Sequence, residues 1–406
     1  MKILVVASTV PAHEADAVPR FVLDQALSLA AADPAVTVTV LAPHTPVSRR
    51  LTWPRAESAD SRVTQERFGY APRRLETLTA HGIMPAIRAH KAMAAAVPML
   101  FAGERRALAS AVGVHRPDVI LAHWFTPQAI VAAGVARRAG VPFGFTTHAS
   151  DVAVLRRLGP LGTRIVRRVT SRAAFATAVS RQTADKLLAF FDGAEREALA
   201  ARLDIEPMGI HAAAAIEGDP HTVAVIARLV EKKGIHVLLE AWPAVRAAVP
   251  DARLLLGGEG PMREQLEALA APLEGVQFHG YVTGQAKAAI EAQAGVVAVP
   301  SVVASDGDAD GLPVAALEAI ARGALVVASD ASGAQDLLAD VVTLVPAGEA
   351  PALASALIEA MTAPAAQRAS RARAARERAE GLTWEALAPV TLGRLRAATR
   401  ARAVEG

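Results

Sequence analysis

The chain has 406 residues, 52% of them hydrophobic, which is enough to build two cores rather than one. It has no cysteine, so disulfide bonds and thiolate chemistry are excluded. The net charge of +3 divides unevenly, because residues 1–208 carry 26 Lys and Arg against 17 Asp and Glu, and the remainder carries 17 against 23. The basic first half suits an anionic partner, although a solvated basic face explains the same asymmetry.

The chain starts with a short apolar run, MKILVVAS, that proline and acidic residues soon interrupt. This pattern predicts a buried first strand and not a signal peptide. No apolar stretch reaches the roughly 18–20 residues that span a bilayer. We therefore expect a cytoplasmic protein, with peripheral contact at the inner membrane face as an open alternative.

Apolar, β-branched runs alternate with helix-like segments along the first half, and the first of these segments is 19–32. Near-continuous apolar strands between helices are typical of a parallel sheet covered on both faces. Residues 1–208 are therefore predicted to form a Rossmann-like α/β domain. Its predicted strands are 2–8, 36–42, 118–124, 143–148 and 175–179.

The same alternation restarts in the second half. We expect a linker at 209–219, a second Rossmann-like domain at 220–384, and a C-terminal helix at 385–406 that could return to the first domain. The predicted fold is α/β, with two facing, doubly wound parallel-sheet domains and ligands beyond the carboxyl ends of the strands. The predicted strands are 222–227, 252–258, 276–281, 295–301, 324–329 and 341–346.

The stretch SDGDADGLPVAALEAIARG, residues 305–323, admits three interpretations. A calcium loop would use Asp306, Asp308 and Asp310, but Leu317 stands where the loop needs its bidentate glutamate. A metal–nucleotide motif would use only Asp308-Ala309-Asp310.

The third interpretation is the start of a ligand-binding helix. Pro313 suits the first helical position, and Gly323 suits the helix end. The free N–H groups at 311–315 would then bind a phosphate or a negatively polarised oxygen. Asp310 and Glu318 flank these groups and could accept hydrogen bonds from sugar or ribose hydroxyls.

The segment VIARLVEKKGIH, residues 225–236, supplies positive charge at another strand-to-helix turn. Arg228 and Lys233 are close enough in sequence to reach one diphosphate, and Lys232 could replace either. A solvated basic turn explains this segment on its own. The helix start predicted at Pro313 favours the diphosphate interpretation.

Together these motifs resemble those of the retaining glycosyltransferases of family 4, which have the GT-B fold. ARLVEKKGIHVLLEA is similar to that family's Arg…Lys-Gly turn, and LLLGGEGPMREQLEALA is similar to its Gly-x-Gly-Pro segment. VPSVVASDGDADGLPVAALEAIARGALVVASDASGAQDLL resembles its Glu-x7-Glu segment. DVILAHWFTPQAIVAAGVARRAGVPFGFTTHASD resembles its His-Trp…Pro-Gln strand and His-Gly-x-Asp turn. The resemblance covers nearly the whole chain.

The resemblance implies transfer of a sugar from a nucleoside diphosphate to an acceptor hydroxyl, with retained anomeric configuration. In this reaction the leaving phosphate takes the acceptor's proton, and neither a metal nor another cofactor is required. The implied roles are diphosphate neutralisation by Arg228 and Lys233, sugar contact by Asp310 and His148, ribose binding by Glu318, sugar or phosphate contact by Gly311, Leu312 and Pro313, and nucleotide contact by Glu259 and Gly260. His123 and Asp151 are acceptor-side candidates, and Asp151 would also support the His148 loop.

The chain departs from the family pattern in three places. Asp310 stands where the family has glutamate, and Ala149 stands where it has glycine. The loop after the first strand lacks a Gly-Gly pair. The first departure leaves the sugar preference open, and the last leaves the approach of the acceptor open.

The expected partners are a nucleotide-sugar donor and a sugar or lipid-linked acceptor. Residues 152–184 contain seven arginines and no acidic residue, which suits anionic lipid headgroups or a pyrophosphate-linked acceptor, although solubility explains them too. No nucleic-acid reader motif is present. Two rival functions stay open: a non-catalytic nucleotide-sugar-binding protein, and a phosphorylase or epimerase on the same fold. The arginines are Arg156, Arg157, Arg164, Arg167, Arg168, Arg172 and Arg181.

Overall fold

The computed structural model of the chain describes residues 1–13, 16, 18–46, 62–79, 83–148, 151–305, 307, 309–311 and 313–405. The expectations for Leu312, Asp306, Asp308 and Ala149 lie outside the described residues. The chain divides into two compact units. Unit 1 comprises Met1–Gly209 with Trp384–Gly406, and unit 2 comprises Ile210–Thr383.

Strands form where short runs of Val, Ile, Leu, Ala and Phe occur, because such residues fit a pleated surface that is buried on both faces. The strands are β1 (Lys2–Val6), β2 (Thr37–Pro43), β3 (Val63–Phe68), β4 (Val119–His123), β5 (Phe143–Thr147), β6 (Phe175–Ala178), β7 (Leu203–Ile205), β8 (Asp219–Ile226), β9 (Arg253–Gly257), β10 (Val276–Gly280), β11 (Ala294–Val299), β12 (Leu325–Ser329) and β13 (Thr343–Val345).

Helices occupy most of the chain between these strands. They are α1 (Phe21–Ala32), α2 (Ile83–Ala89), α3 (Ala96–His115), α4 (Ile130–Ala139), α5 (Pro160–Thr170), α6 (Arg181–Leu188), α7 (Gly193–Ala200), α8 (Ile235–Ala248), α9 (Arg263–Ala270), α10 (Gly284–Gln293), α11 (Val314–Arg322), α12 (Gln335–Leu338), α13 (Ala350–Thr362), α14 (Ala365–Glu380) and α15 (Trp384–Glu405). None of the helices in the described part of the chain is both long and apolar enough to span a membrane.

Unit 1 is built on a parallel sheet whose described strands follow the order β3-β2-β1-β4-β5-β6-β7. The central strand β1 pairs with β2 and β4, so that Ile3 lies opposite both Val38 and Val119. Two apolar cores cover the two faces of this sheet. The carboxyl ends of all these strands lie along one edge, where ligands bind in folds of this kind.

The C-terminal helix α15 completes one of the cores of unit 1. Leu392 and Leu395 are buried in the same cluster as the α1 residues Leu23 and Leu29. Arg394 forms an ion pair with Asp204 at 2.7 Å. The last helix of the chain therefore packs in the N-terminal unit.

Unit 2 is a second parallel sheet, with its described strands in the order β10-β9-β8-β11-β12-β13. The largest buried side chain of its main core is Trp242, whose Nε1–H donates to the carbonyl of Glu274 at 2.9 Å. Both sheets confirm the predicted α/β class with two Rossmann-like parallel sheets.

The predicted strands match the observed ones within a few residues at each end, but β3 and β7 were not predicted. Both strands lie at the edges of the unit 1 sheet. Strand β3 has the sequence VTQERF, with polar residues in its middle, and β7 has only three residues. An edge strand is only partly covered, so its sequence lacks the apolar run that marks a central strand.

Candidate active site

The cationic turn of unit 2 lies between β8 and α8. Lys233 ends a short 3₁₀ turn, Glu231–Lys233, and Gly234 follows with φ +62°. A Cβ at Gly234 would lie 1.8 Å from the carbonyl oxygen of Pro300, so only glycine allows the turn to approach the end of β11 this closely. Arg228 is exposed and makes no ion pair with any described residue.

Asp310 joins this turn to the loop before α11. The Nζ of Lys233 donates to Asp310 Oδ2 at 2.8 Å, and the hydroxyl of Ser301 donates to the same oxygen at 2.6 Å. Lys232 Nζ lies 3.8 Å from the other carboxylate oxygen. The Asp310 side chain is 7% exposed, and this burial favours a carboxylate that is paired with a cation.

Helix α11 begins one residue later than the sequence predicted. Pro313 adopts an extended conformation, with φ −75° and ψ 109°, and is the N-cap rather than the first helical residue. The N–H groups of Val314 and Ala315 have no acceptor among the described residues. These groups carry the partial positive charge of a helix start, four to five residues after Asp310. Gly311, which precedes them, is partly exposed.

Glu318, in the second turn of α11, is held by Lys287, a residue that no sequence motif indicated. Lys287 Nζ of helix α10 lies 2.6 Å from Glu318 Oε2 and 3.4 Å from Glu291. Arg322 bonds to Glu291 in turn. The Glu318 side chain keeps 30% exposure, so it can still accept hydrogen bonds from a ligand. Lys287 lies in an Ala-rich helix outside any motif, and only the fold brings it to Glu318.

The turn between β9 and α9 backs onto the cationic turn. Leu229 N–H donates to the carbonyl of Glu259 at 2.9 Å. A Cβ at Gly260 would lie 2.2 Å from the Leu229 carbonyl oxygen, so these two backbones touch. The Glu259 side chain, which is half exposed, pairs with Arg263 at 2.8 Å. The geometry gives Gly260 a packing role and does not bring Glu259 into contact with Lys233 or Asp310.

In unit 1, two histidines and a glutamine form a hydrogen-bonded chain at the carboxyl edge of the sheet. His123 Nε2 lies 2.8 Å from Gln25 Oε1, and His123 Nδ1 lies 3.2 Å from His148 Nε2. Because the glutamine oxygen only accepts, Nε2 of His123 carries the proton and Nδ1 accepts. His148 must then donate from Nε2, which leaves its Nδ1 as an acceptor.

Burial keeps both rings of this chain neutral. Burial lowers the pKa of His123 to about 3. Burial, together with the neighbouring His123, also holds the pKa of His148 well below its ordinary value. A neutral His148 can accept a hydrogen bond at Nδ1 from a sugar hydroxyl. The structure therefore places His123 behind His148, and not as an independent contact.

Asp151 fixes the loop that carries His148. Its carboxylate accepts from the N–H of His148 at 3.0 Å, the hydroxyl of Thr147 at 2.9 Å and the N–H of Phe125 at 2.6 Å. Burial raises the pKa of Asp151 to about 6, against the lowering effect of these three bonds. The Asp151 carboxylate already accepts three hydrogen bonds from the protein, so it supports the loop.

Backbone strain occurs beside these histidines. Trp124 has φ 71° and ψ 143°, an unusual conformation for a residue other than glycine. Its ring lies 4.9 Å from that of His148, between ring centroids, and 5.5 Å from that of Phe21. Such strain persists where the surroundings impose it, and it is frequent at functional sites.

A second buried polar chain of unit 1 was not predicted. Gln128 donates from Nε2 to Glu104 Oε2 at 3.1 Å and accepts from the Ser8 hydroxyl at 2.8 Å. Glu104 is fully buried, and its Oε1 has no partner among the described residues. Burial raises the pKa of Glu104 to about 8. Glu104 lies on α3, in a helical pattern that gives no sign of a buried acid.

Among the described residues, no group of three or more His, Asp and Glu side chains is arranged to hold a metal ion. Asp308, which the metal–nucleotide interpretation requires, is not among these residues. The arrangement in unit 2 can instead bind an anion, because a lysine pair, a free arginine and a helix start occur at the carboxyl ends of β8 and β11.

Two parallel α/β units in tandem are the architecture of the GT-B glycosyltransferases. Residues 220–363 match the family model described as "Glycosyl transferases group 1", and residues 18–197 match "Glycosyltransferase Family 4". Each unit therefore carries a match to a glycosyltransferase family, and the match in unit 1 is to family 4.

Curated relatives resemble parts of the chain. A GDP-mannose-dependent alpha-(1-6)-phosphatidylinositol monomannoside mannosyltransferase of Mycolicibacterium smegmatis is 32% identical over 56% of this chain and 63% of its own length. The amylovoran biosynthesis glycosyltransferase AmsK of Erwinia amylovora is 35% identical over 34% of this chain and 35% of its own length. The matches thus span less than two thirds of these relatives.

Solved structures share the fold. The Anabaena protein HepE in complex with UDP aligns with a TM-score of 0.67 and 18% identity, over 98% of this chain and 100% of that chain. At this identity the likeness shows the fold alone.

Proposed function

We propose that this chain is a retaining glycosyltransferase that moves a hexose from a nucleoside diphosphate to an acceptor hydroxyl. The observation that carries the proposal is the bond between Lys233 and Asp310. Through it, the cationic turn after β8 meets the loop that leads into helix α11. The two family-model matches support the same reaction.

The chemistry follows from where negative charge grows. As the bond to the sugar breaks, the departing diphosphate gains charge, and groups that are already oriented stabilise it most effectively. Lys233 is held by Asp310, and the N–H groups of Val314 and Ala315 are fixed by the helix. Arg228 makes no competing ion pair with the described residues and is available to the phosphates.

The donor's other contacts are assigned on the same grounds. We place the ribose hydroxyls on Glu318, whose second carboxylate oxygen accepts no hydrogen bond from any residue that the structure describes. His148, in unit 1, would accept a hydrogen bond from a sugar hydroxyl through Nδ1. The leaving phosphate takes the acceptor's proton, and the reaction needs no metal.

The donor and acceptor classes are proposed from the relatives. The mycobacterial relative is named as GDP-mannose-dependent and acts on a phosphatidylinositol mannoside, and HepE holds UDP. We propose a hexose donor of the GDP or UDP type and a saccharide or lipid-linked acceptor, with peripheral contact at an anionic membrane surface.

A transfer assay tests the proposal. The purified chain is incubated with GDP-mannose or UDP-glucose and a panel of glycoside acceptors, with EDTA present, and the anomeric configuration of the product is read by NMR. We expect turnover of one donor with retention, and loss of about 100-fold or more in Lys233→Ala. Arg253→Ala is the matched control, since Arg253 begins β9 and pairs with Asp219.

Other outcomes of this assay would favour a rival function or contradict the proposed mechanism. Tight nucleotide binding without turnover of any donor would favour the non-catalytic binding protein. A glycosyl phosphate as the product would favour the phosphorylase. Inversion at the anomeric carbon, or activity that appears only with added Mn²⁺, would contradict the proposed mechanism.

A further inference from the structure

Two exposed leucines stand among arginines on the surface of unit 1. Leu158 is 50% exposed and Leu161 is 60% exposed, whereas most large apolar side chains of the unit are buried. They flank the turn from the 3₁₀ segment Ala153–Leu158 into helix α5. Exposed leucines three residues apart, at the start of a helix, form a local apolar protrusion.

Helix α5 continues this protrusion with a basic face. Its buried residues, including Val166 and Val169, anchor it in unit 1. Leu161, Arg164 and Arg168 recur at spacings of three and four, so they lie on one side of the helix, and all three are exposed. We call Arg157, Leu158, Leu161, Arg164 and Arg168 the Arg–Leu surface.

The positive charge of this surface is not compensated. Arg157, Arg164 and Arg168 form no ion pair with any residue that the structure describes. Arg167, whose side chain is 40% exposed, differs from them and pairs with Glu195 at 3.2 Å. Loss of hydration, with repulsion from Arg168 and Arg137, lowers the pKa of Arg172, which indicates crowded cations.

We propose that the Arg–Leu surface docks on an anionic lipid bilayer, with the two leucines inserted at the level of the headgroups. An anionic bilayer offers both things that this surface needs: negative charge for the arginines and an apolar layer for the leucines. A nucleic acid would satisfy the arginines and leave the leucines in water. This inference deepens the proposed peripheral membrane contact, on which it rests, by naming the surface that makes it. None of the surface residues belongs to the donor site, so its failure and the failure of the transfer proposal can be told apart.

The absence of cysteine makes the inference directly testable, because a single introduced cysteine can be labelled selectively. The full chain carrying Leu158→Cys or Leu161→Cys is labelled with an environment-sensitive fluorophore and mixed with vesicles of phosphatidylglycerol and phosphatidylcholine. We expect a blue shift with these vesicles and none with pure phosphatidylcholine. Leu269→Cys is the control, since Leu269 is 46% exposed but lies on α9 of unit 2.

Charge is tested by vesicle sedimentation. The triple variant Arg157→Gln, Arg164→Gln, Arg168→Gln should bind anionic vesicles about 100-fold more weakly, since each basic residue contributes roughly a factor of five. Arg373→Gln, an exposed change in unit 2, should bind as the wild type does. Donor turnover with a water-soluble acceptor should be unchanged in the triple variant, which separates this inference from the transfer proposal.

The contrary outcomes are equally specific. Wild-type affinity in the triple variant, or labels at 158 and 161 that respond no more than the label at 269, would overturn the proposal. Binding of single-stranded RNA by the wild type, without binding of anionic vesicles, would assign the arginines to a nucleic acid instead.

Discussion

Lys233 Nζ lies 2.8 Å from Asp310 Oδ2, although 77 residues separate the two in sequence. Asp310 is nearly buried and Lys233 is 23% exposed, so the carboxylate is the more enclosed partner and the lysine is still accessible to solvent. A diphosphate that binds here must share the lysine with Asp310. Asp310 therefore has two effects on the lysine: it orients the ammonium group, and it neutralises positive charge that would otherwise attract the ligand.

Asp310→Asn should separate these two effects. The amide still accepts a hydrogen bond but no longer neutralises Lys233, so we expect a nucleoside diphosphate to bind about tenfold more tightly, or ~1.4 kcal/mol. Sugar transfer should fall, because the lysine is less firmly held. Calorimetric titration and the transfer assay measure the two effects. Asp251→Asn, which alters an exposed pair with His221, is the control. Weaker nucleotide binding in Asp310→Asn would contradict this description of the pair.

The neutral His123 predicts a pH dependence of stability. Its pKa is about 3 in the folded chain and about 6.5 when unfolded, so the unfolded state binds the extra proton as pH falls. The stability present above pH 6.5 is therefore lost towards pH 3, by about 2 kcal/mol between pH 7.5 and 5.0. Urea unfolding of His123→Gln should lack this share of the slope.

Two other ionisable groups, in the loop that carries His148, also contribute to the pH dependence of stability. His148 titrates in the same direction, and Asp151, with its raised pKa, acts in the opposite direction between about pH 4 and 6. Both remain in His123→Gln, so the difference between variant and wild type reports His123 together with its effect on the pKa of His148. Equal slopes for the two proteins would show that His123 is charged in the folded state or has no altered pKa.

Glu104 predicts a slope of opposite sign. Its pKa is raised from 4.5 to about 8, so the folded chain keeps a proton that the unfolded chain loses above pH 4.5. The stability present at low pH is lost as pH rises towards 8, by about 2 kcal/mol between pH 6 and 8. Glu104→Gln mimics the protonated acid and keeps a partner for Gln128. It should be more stable than the wild type at pH 8, and a variant that is less stable there would refute the prediction.

The sequence predicted the sheets well and the site only in part. Apolar runs such as that of β1 mark central strands, so both parallel sheets could be predicted. Motif spacing identified Lys233 and Asp310 separately, but no pattern indicated that they bond to one another. Lys287 and Glu104 could not be found, because their partners come from helices that are distant in sequence and are brought together only by tertiary packing.

Gly260 tests the contact between the two turns that back onto each other in unit 2. Gly260→Ala would push its Cβ onto backbone atoms of Leu229, which cannot move aside as a flexible side chain would. We expect a loss of about 2 kcal/mol in the free energy of unfolding. Gly113→Ala is the control, because nothing lies within 4 Å of a Cβ there and alanine favours the helix by up to about 1 kcal/mol. Equal stability of the two variants would contradict the close contact between Gly260 and Leu229.

Calorimetric titration of GDP and UDP into the wild type, Lys233→Gln, Arg228→Gln and the control Arg253→Gln measures the anion site itself. Each of the first two changes should weaken binding of the preferred nucleotide by at least tenfold, or ~1.4 kcal/mol, while Arg253→Gln binds it as the wild type does. If both site variants bind that nucleotide with wild-type affinity, the cationic turn does not hold the diphosphate.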